Sequence, residues 1–325
     1  MRPSFEFLER ASSETGYQTS PLEKVILLGE LAGDIARHPL LGEVLVLKGG
    51  TALNLCFGAP GRLSVDLDFN YIGHIEREGM LEDRPRVDKA VIELARRQGY
   101  LVQHSADAFA GRKLYLSYTS VLGQADRIEV DLNYLFRLPV AKPEIREMWQ
   151  PGGLDRPRIR AVNLSELIVG KLLAFLDRGA VRDAWDVGRL PEIAADELRS
   201  PVFRARFIAM SAILDQPLTT YPLGRIRNRL TETSITQDLA PLLTSDEANH
   251  ARAMVERAWQ VVSPLLSLRK NERDYIAAIS GGDLNLSLLF PQDKQEAERL
   301  ARHPALLWKM TNVQRMLQQR NNRGK

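Results

Sequence analysis

VLKGGTALNLCFGAPGRLSVDLDF, residues 46–69, holds a strand, a glycine turn, a short helix and a second strand in one run. The apolar run Glu43 to Leu47 (EVLVL) reads as a buried strand. It enters Lys48-Gly49-Gly50-Thr51, and ALNLCF then reads as a short helix. Glycines let backbone approach a ligand closely, and a helix N-terminus offers free N–H groups to an anion, so the turn suits phosphate. Thr51 suits either a cap for that helix or a hydroxyl donor to phosphate. The spacing fits neither a Walker A loop nor a dinucleotide fingerprint, and taken alone the motif also describes a plain tight turn. A second turn, Gly58 to Gly61, leads to Val65–Phe69, which alternates with period two. Ser64, Asp66 and Asp68 share one strand face, while Val65, Leu67 and Phe69 share the other, which can be core. The turn and the acidic strand are close enough in sequence to meet at one end of a sheet.

Two carboxylates held side by side repel each other unless a cation joins them. Mg²⁺ (or Mn²⁺) is the expected partner, because it prefers oxygen ligands and shares its shell with substrate phosphates. A later stretch repeats the logic: Ile128, Val130, Leu132 and Tyr134 alternate with Glu129, Asp131 and Asn133. If that strand neighbours the first, Asp131 supplies a third carboxylate. Three acids on adjacent strands could hold two metals for in-line phosphoryl transfer. An Asp-x-Asp pair by itself equally describes a half-buried strand with a solvated acidic face.

Outward from this core, residues 1–37 read as helix, 84–99 as a further helix, and 100–104 and 113–119 as additional strands. The segment Lys142 to Pro157 is rich in proline and glycine and reads as a boundary. Beyond it the pattern is almost entirely helical, at about 163–177, 181–190, 201–214, 245–262, 268–279 and 303–319. The expectation is therefore an α+β chain in two domains, residues 1–150 and 151–325. The length of 325 residues agrees with that division. One cysteine excludes a disulfide framework and any multi-cysteine metal site, and five scattered histidines argue against zinc. No run approaches a membrane span and the N-terminus is charged too early for a signal peptide, so a cytoplasmic protein is expected. The net charge of +3 hides an asymmetry: Arg302, Lys309, Arg315, Arg320, Arg323 and Lys325 lie in an acid-free C-terminal stretch. A second basic group, Arg204, Arg206, Arg225, Arg227 and Arg229, lies in the helical half. Each reads either as a solvated helix face or tail, or as a contact for RNA phosphates.

Residues 46–53 with Arg62 to Phe69 resemble the AbiEii-type nucleotidyltransferases, which include the MenT toxins of toxin–antitoxin and abortive-infection (phage-defence) systems. Two later motifs of that family are a lysine and an aspartate near Arg-Asp-x-x-Asp. They match Lys171 in ELIVGKLLAFLDR and Asp186 in Arg182-Asp-Ala-Trp-Asp186. The resemblance implies a DNA polymerase β-like nucleotidyltransferase core with a mixed sheet, followed by a mainly helical domain. It implies transfer of nucleotides from an NTP to the tRNA 3′ end, blocking translation, and a cognate antitoxin as partner. In that reading Asp66 and Asp68 hold metal, and Gly49, Gly50 and Thr51 cradle phosphate; Asp131, which the strand alternation rather than the resemblance supplies, either joins as a metal ligand or helps deprotonate the attacking hydroxyl. Lys171 neutralises the triphosphate, with Lys48 and Arg62 as weaker candidates. Asp186 orients Lys171 or contacts the nucleotide, and Ser64 contacts metal or phosphate.

On one continuous helix Lys171 and Asp186 would be about 22 Å apart. A turn near Gly179 would fold the segment into a hairpin and bring them level, leaving Asp183 opposite Phe175. Asp186 is therefore preferred to Asp183. A glycosyltransferase using a nucleotide-sugar is an alternative that shares Asp-x-Asp. So are nucleotide transfer to a protein acceptor and an idle RNA- or partner-binding protein on the same scaffold. Cys56 reads as core, His74 as a surface histidine, and Trp149, Trp185, Trp259 and Trp308 as packing residues.

Overall fold

The computed structural model of the chain describes residues 2–106, 110–221 and 223–323. It divides into two compact units, Met1–Leu167 with Glu232–Arg252, and Ile168–Thr231 with Ala253–Lys325.

The first unit is built on a mixed sheet of seven strands. These are β1 (Leu45–Lys48), β2 (Asp66–Tyr71), β3 (Leu101–His104), β4 (Gly111–Thr119), β5 (Ala125–Asn133), β6 (Glu144–Glu147) and β7 (Arg158–Ala161). Their order across the sheet is β3-β4-β5-β2-β1-β7-β6. β2 runs antiparallel to β1 and parallel to β5, so the acidic strand lies between the strand of the glycine turn and the second alternating strand. β7 pairs parallel with β1, and β6 pairs antiparallel with β7. The Pro- and Gly-rich stretch read as a boundary thus carries β6 and leads into β7. Strands this short leave no periodicity to read.

Alternation decides the two faces of the sheet. Leu67 and Phe69 of β2, Leu114 and Leu116 of β4, and Val130 and Leu132 of β5 are at most 1% exposed. α1 (Phe5–Thr15), α2 (Thr19–Arg37), α3 (Leu41–Val44), α4 (Gly49–Cys56) and α5 (Arg77–Arg97) complete the described helices before residue 100. α1 is capped by Ser4, whose Oγ accepts from the Phe7 N–H, and it ends at Gly16 in the left-handed conformation. α2 buries Leu22, Val25, Leu28, Leu31 and Ile35, a helical stripe, and packs against β7 and α5. α5 covers the apolar face: the Tyr71 hydroxyl donates to Asp83 at 2.7 Å and the Tyr134 hydroxyl to Asp88 at 2.6 Å. It starts at Arg77 rather than near residue 84, and Pro85 lies inside it. Met80 is buried and Asp83 is tied to Tyr71, so the turn before the proline is held by contacts the local sequence does not display.

The second unit is helical. Its α6 (Leu164–Arg178) and α7 (Val181–Ile193) form a hairpin about Gly179, which has φ +59°. A Cβ at Gly179 would lie 2.9 Å from Ile226 Cγ2, so both the backbone angle and the close approach require glycine. Phe175, Trp185, Phe203, Phe207 and Tyr275 form its core. The helix Pro304–Arg323 buries Leu306, Met310 and Val313, while Leu307 and Trp308 stay exposed at 48% and 45%. Trp308 is therefore not a packing residue. No helix among the described residues is long and apolar enough to cross a membrane.

Candidate active site

In the first unit the register of the sheet lines up four charges in one row. Asp68 on β2 lies opposite Asp131 on β5, Lys48 on β1 lies opposite Asp68, and Lys113 on β4 lies opposite Asp131. Residues paired across strands share a face, so Lys48, Asp68, Asp131 and Lys113 run in that order across four strands of one surface. Asp66 lies opposite Glu129 one step along the same face. Asp66, Asp68 and Asp131 are half-buried. Burial pushes the Asp131 carboxyl above the ordinary carboxylate range; Asp68 and Glu129 push the same way, while Lys48 and Lys113 pull back. Lys113 reaches Glu129 Oε2 at 3.3 Å. Burial alone would lower the Lys113 ammonium, but Glu129 and Asp131 outweigh it and hold it up.

The glycine turn abuts this row. Lys48 ends β1 and Gly49 begins α4 with φ +73°, and a Cβ there would collide with the Asp68 carboxylate. Thr51 is fully buried and its hydroxyl donates to the Asp66 carbonyl oxygen. It neither caps α4 by its side chain nor offers its hydroxyl outward; it fastens the turn to the acidic strand. Gly50 is buried in the first turn of α4. Ser64 is buried and precedes β2, outside the strand face on which it was expected. Arg62 is 2% exposed and donates to the Leu63 carbonyl at 2.9 Å. Such depth and engagement suit holding the turn rather than meeting a ligand.

The donor set fits a divalent cation. Half-buried carboxylates abreast of each other, one of them disfavoured in its charged form by burial, are a site that a cation relieves. Among the described residues no three His, Cys, Asp or Glu side chains close into a metal cage. A cation here would rest on at most two of the Asp66, Asp68 and Asp131 carboxylates and take its remaining ligands from phosphate and water oxygens, as Mg²⁺ commonly does.

In the second unit the hairpin gathers a second charged cluster. Lys171 Nζ lies 2.7 Å from Asp186 Oδ2 and 3.1 Å from Asp183 Oδ1. Arg178 grips Asp183 with two bonds, Nε to Oδ2 at 2.6 Å and a terminal nitrogen to Oδ1 at 3.0 Å. The Lys171 and Asp186 side chains are 7% and 0% exposed. The hairpin thus forms as expected, but Asp183 does not face Phe175 away from the lysine: Lys171 touches both aspartates. Burial alone would raise the Asp183 carboxyl; Lys171 and Arg178 outweigh it and hold it below the ordinary range. Among these four groups two cations face two anions.

Sequence reasoning missed Lys113, Glu129 and Arg178, and set Asp183 aside in favour of Asp186. Asp183 was visible in the Arg-Asp-x-x-Asp motif; Lys113 becomes legible only once β4 is known to flank β5.

The basic stretches are largely spent on structure. Arg204 pairs with Glu272 at 2.6 Å and donates to the Pro264 and Ser267 carbonyls. Arg206 pairs with Glu296 at 2.8 Å, Arg227 lies over the Trp259 ring at 5.0 Å, and Arg229 donates to the Arg178 carbonyl. Lys309 donates to the Leu214 carbonyl at 2.6 Å, and burial pushes its ammonium down. Arg302, Arg315 and Arg320 remain exposed. The side chains of Arg225 and Arg323, and all of Lys325, lie outside the described residues.

The model of a family described as "Nucleotidyl transferase AbiEii toxin, Type IV TA system" matches residues 33–261. Among solved structures the fold is similar to that of MenT4, a nucleotidyltransferase toxin from Mycobacterium tuberculosis H37Rv. The TM-score is 0.52 at 19% identity, covering 87% of this chain and 94% of that one. No curated protein sequence matches.

Proposed function

The chain belongs to the AbiEii nucleotidyl transferase toxin family, and from that premise we propose that it transfers nucleotides from an NTP to the 3′ end of tRNA. The reaction uses Mg²⁺ or Mn²⁺, blocks translation, and is restrained by a cognate antitoxin. The observation that carries this reading is the row Lys48–Asp68–Asp131–Lys113 with the Gly49 backbone pressed against Asp68. Two acids flanked by two lysines, beside a glycine turn, suit a metal-bridged triphosphate.

Asp66 and Asp68 would hold the metal, and Asp131 would either join them as a ligand or stay off the metal as the base. When bound, the metal supplies Lewis-acid neutralisation of phosphate charge and alignment for in-line displacement. Asp131, whose carboxyl burial pushes up, is suited to take the proton of the attacking 3′-hydroxyl on a carboxylate oxygen. Gly49 and Gly50 give the phosphates close access to backbone. Lys48 and Lys113 offset the charge at either end of the row. Lys171 is held by Asp183 and Asp186 within the hairpin of the second unit, and its part in transfer is tested by its own variant.

The test incubates the protein with each labelled NTP, Mg²⁺ and total tRNA, alongside Asp68→Ala and Lys171→Ala. Label should appear in tRNA, vanish with EDTA, and fall at least 100-fold in Asp68→Ala. Absent transfer, or transfer unchanged in both variants, would sink the mechanism. The same reaction without RNA detects a protein acceptor, and UDP-sugars detect glycosyl transfer. Expression without an antitoxin should arrest growth, and Asp68→Ala should relieve the arrest.

A further inference from the structure

On the α5 side of the sheet lies a cleft of about 660 Å³ between α5, the edge strand β3 and its neighbour β4. Arg112 precedes Lys113 on β4, so their side chains leave opposite faces. The cleft is therefore on the far face from the Lys48–Lys113 row, and the proposed phosphoryl chemistry does not use it.

Its floor is Asp88, buried and bonded by the Tyr134 hydroxyl at 2.6 Å. Asp88 Oδ2 lies 3.1 Å from Arg112 Nε and 3.9 Å from Arg84 Nε. Both guanidinium side chains are recessed, at 13% and 14% exposure. Arg84 also rests on the Tyr134 ring at 4.9 Å, so its plane is held in place. At the rim, Lys89 and Arg96 are exposed, with Glu93 3.8 Å from Lys89. Among the described lining residues, four cations thus face two carboxylates. Arg112 also contacts His104 Nδ1 at 3.2 Å and Arg84 donates to the Gly111 carbonyl at 3.3 Å; apart from His104 the remaining wall is apolar, with Leu81, Ile92 and Val102.

Recessed, oriented guanidiniums are the usual holders of phosphate, because their planar forks bind its oxygens bidentately. An apolar wall beside them suits a flat base or ribose. The volume falls within the range of small-ligand sites. We propose that this cleft is a second anion site that takes a nucleoside phosphate, with the phosphate at Arg84 and Arg112 and the nucleoside along Leu81, Ile92 and Val102. The ligand is either a free nucleotide or one nucleotide unit of a single-stranded RNA. The proposal rests on the cleft alone and not on the reading of the carboxylate face.

The experiment titrates the full chain, in EDTA and low salt, with AMP and separately with a ten-nucleotide single-stranded RNA. Calorimetry reads the dissociation constant. Asp68→Asn reports on the opposite face. Arg112→Gln reports on the floor of the cleft. The exposed rim pair Lys89→Glu/Arg96→Glu keeps the test open if the floor variant does not fold. Binding that survives Asp68→Asn and weakens at least tenfold in Arg112→Gln or the rim pair supports the site. Binding of AMP assigns it to a free nucleotide, and binding of RNA alone assigns it to the polymer. Two results would overturn it: no binding of either probe at millimolar concentration, or binding that Asp68→Asn removes and the cleft variants leave unchanged.

Discussion

Lys171→Met isolates the energetics of the buried hairpin cluster. Lys171 faces Asp186 at 2.7 Å and Asp183 at 3.1 Å, with all three side chains at most 7% exposed. At an effective dielectric of about 20, such contacts are worth about 6 and 5 kcal/mol of Coulomb attraction. Burying each ion has cost several kcal/mol of hydration, which offsets most of that gain. Removing the lysine forfeits the attraction and keeps the desolvation of two acids, so the expected loss is about 3–5 kcal/mol. That is a large share of a typical total stability of about 5–15 kcal/mol. The assay is urea unfolding followed by circular dichroism at pH 7.5 and pH 5. In the parent chain Asp183 titrates below its ordinary value, so its contribution is present above that value and lost as pH falls through the depressed one. Without Lys171 burial dominates, the folded state binds protons more tightly than the unfolded one, and stability rises as pH falls. The gap between parent and variant should therefore narrow from pH 7.5 to pH 5. Lys171→Met/Asp186→Leu should recover most of the loss, because Arg178 still holds Asp183. A gap under about 1 kcal/mol at pH 7.5, or one independent of pH, would refute the reasoning.

Gly49→Ala should cost the left-handed strain of about 1–2 kcal/mol and displace Asp68, lowering tRNA labelling about 100-fold. Gly99→Ala, at φ +85° with open space around it, carries the same backbone strain and should leave labelling unchanged. Burial alone would raise the Glu272 carboxyl, but Arg204 and the Arg269 N–H outweigh it and hold it low. Its contribution is present above the ordinary glutamate value and lost in acid, so Glu272→Gln should flatten the fall of urea midpoint between pH 6 and pH 3.5. Cys56 is buried and its thiol is pushed up to about 12. Native protein at pH 8 should therefore resist Ellman's reagent and react only in denaturant, and rapid native labelling would contradict the packing.

The central elements are legible because they rest on local pattern. Period-two alternation in Asp66–Phe69 and Ile128–Tyr134 assigns each residue its face, and the β2–β5 pairing puts Asp68 beside Asp131 as the alternation allowed. Gly179 signals the hairpin because only glycine suits its backbone angle. Partners distant in sequence are not legible. Arg204 and Arg206 look like an RNA-facing cluster until Glu272 and Glu296 arrive from later helices. Lys113 carries no mark of its own, and its place beside Asp131 depends on the β4–β5 hairpin closing in one register. Asp183 was discounted on helical phase, which fixes the direction of a Cβ but not the reach of a flexible lysine side chain.

The pairing of β2 with β5 also ties the acidic pair to the register of the sheet. These parallel strands are joined through α5, β3 and β4, so their register depends on long-range contact. A slip of one residue in β5 would carry Asp131 into the apolar layer beneath the sheet and push Leu132 into water. The misregistered chain would lose its buried apolar face and its acidic pair in the same event. One register thus serves both purposes: the alignment that buries Leu132 beneath the sheet is the alignment that sets Asp131 beside Asp68.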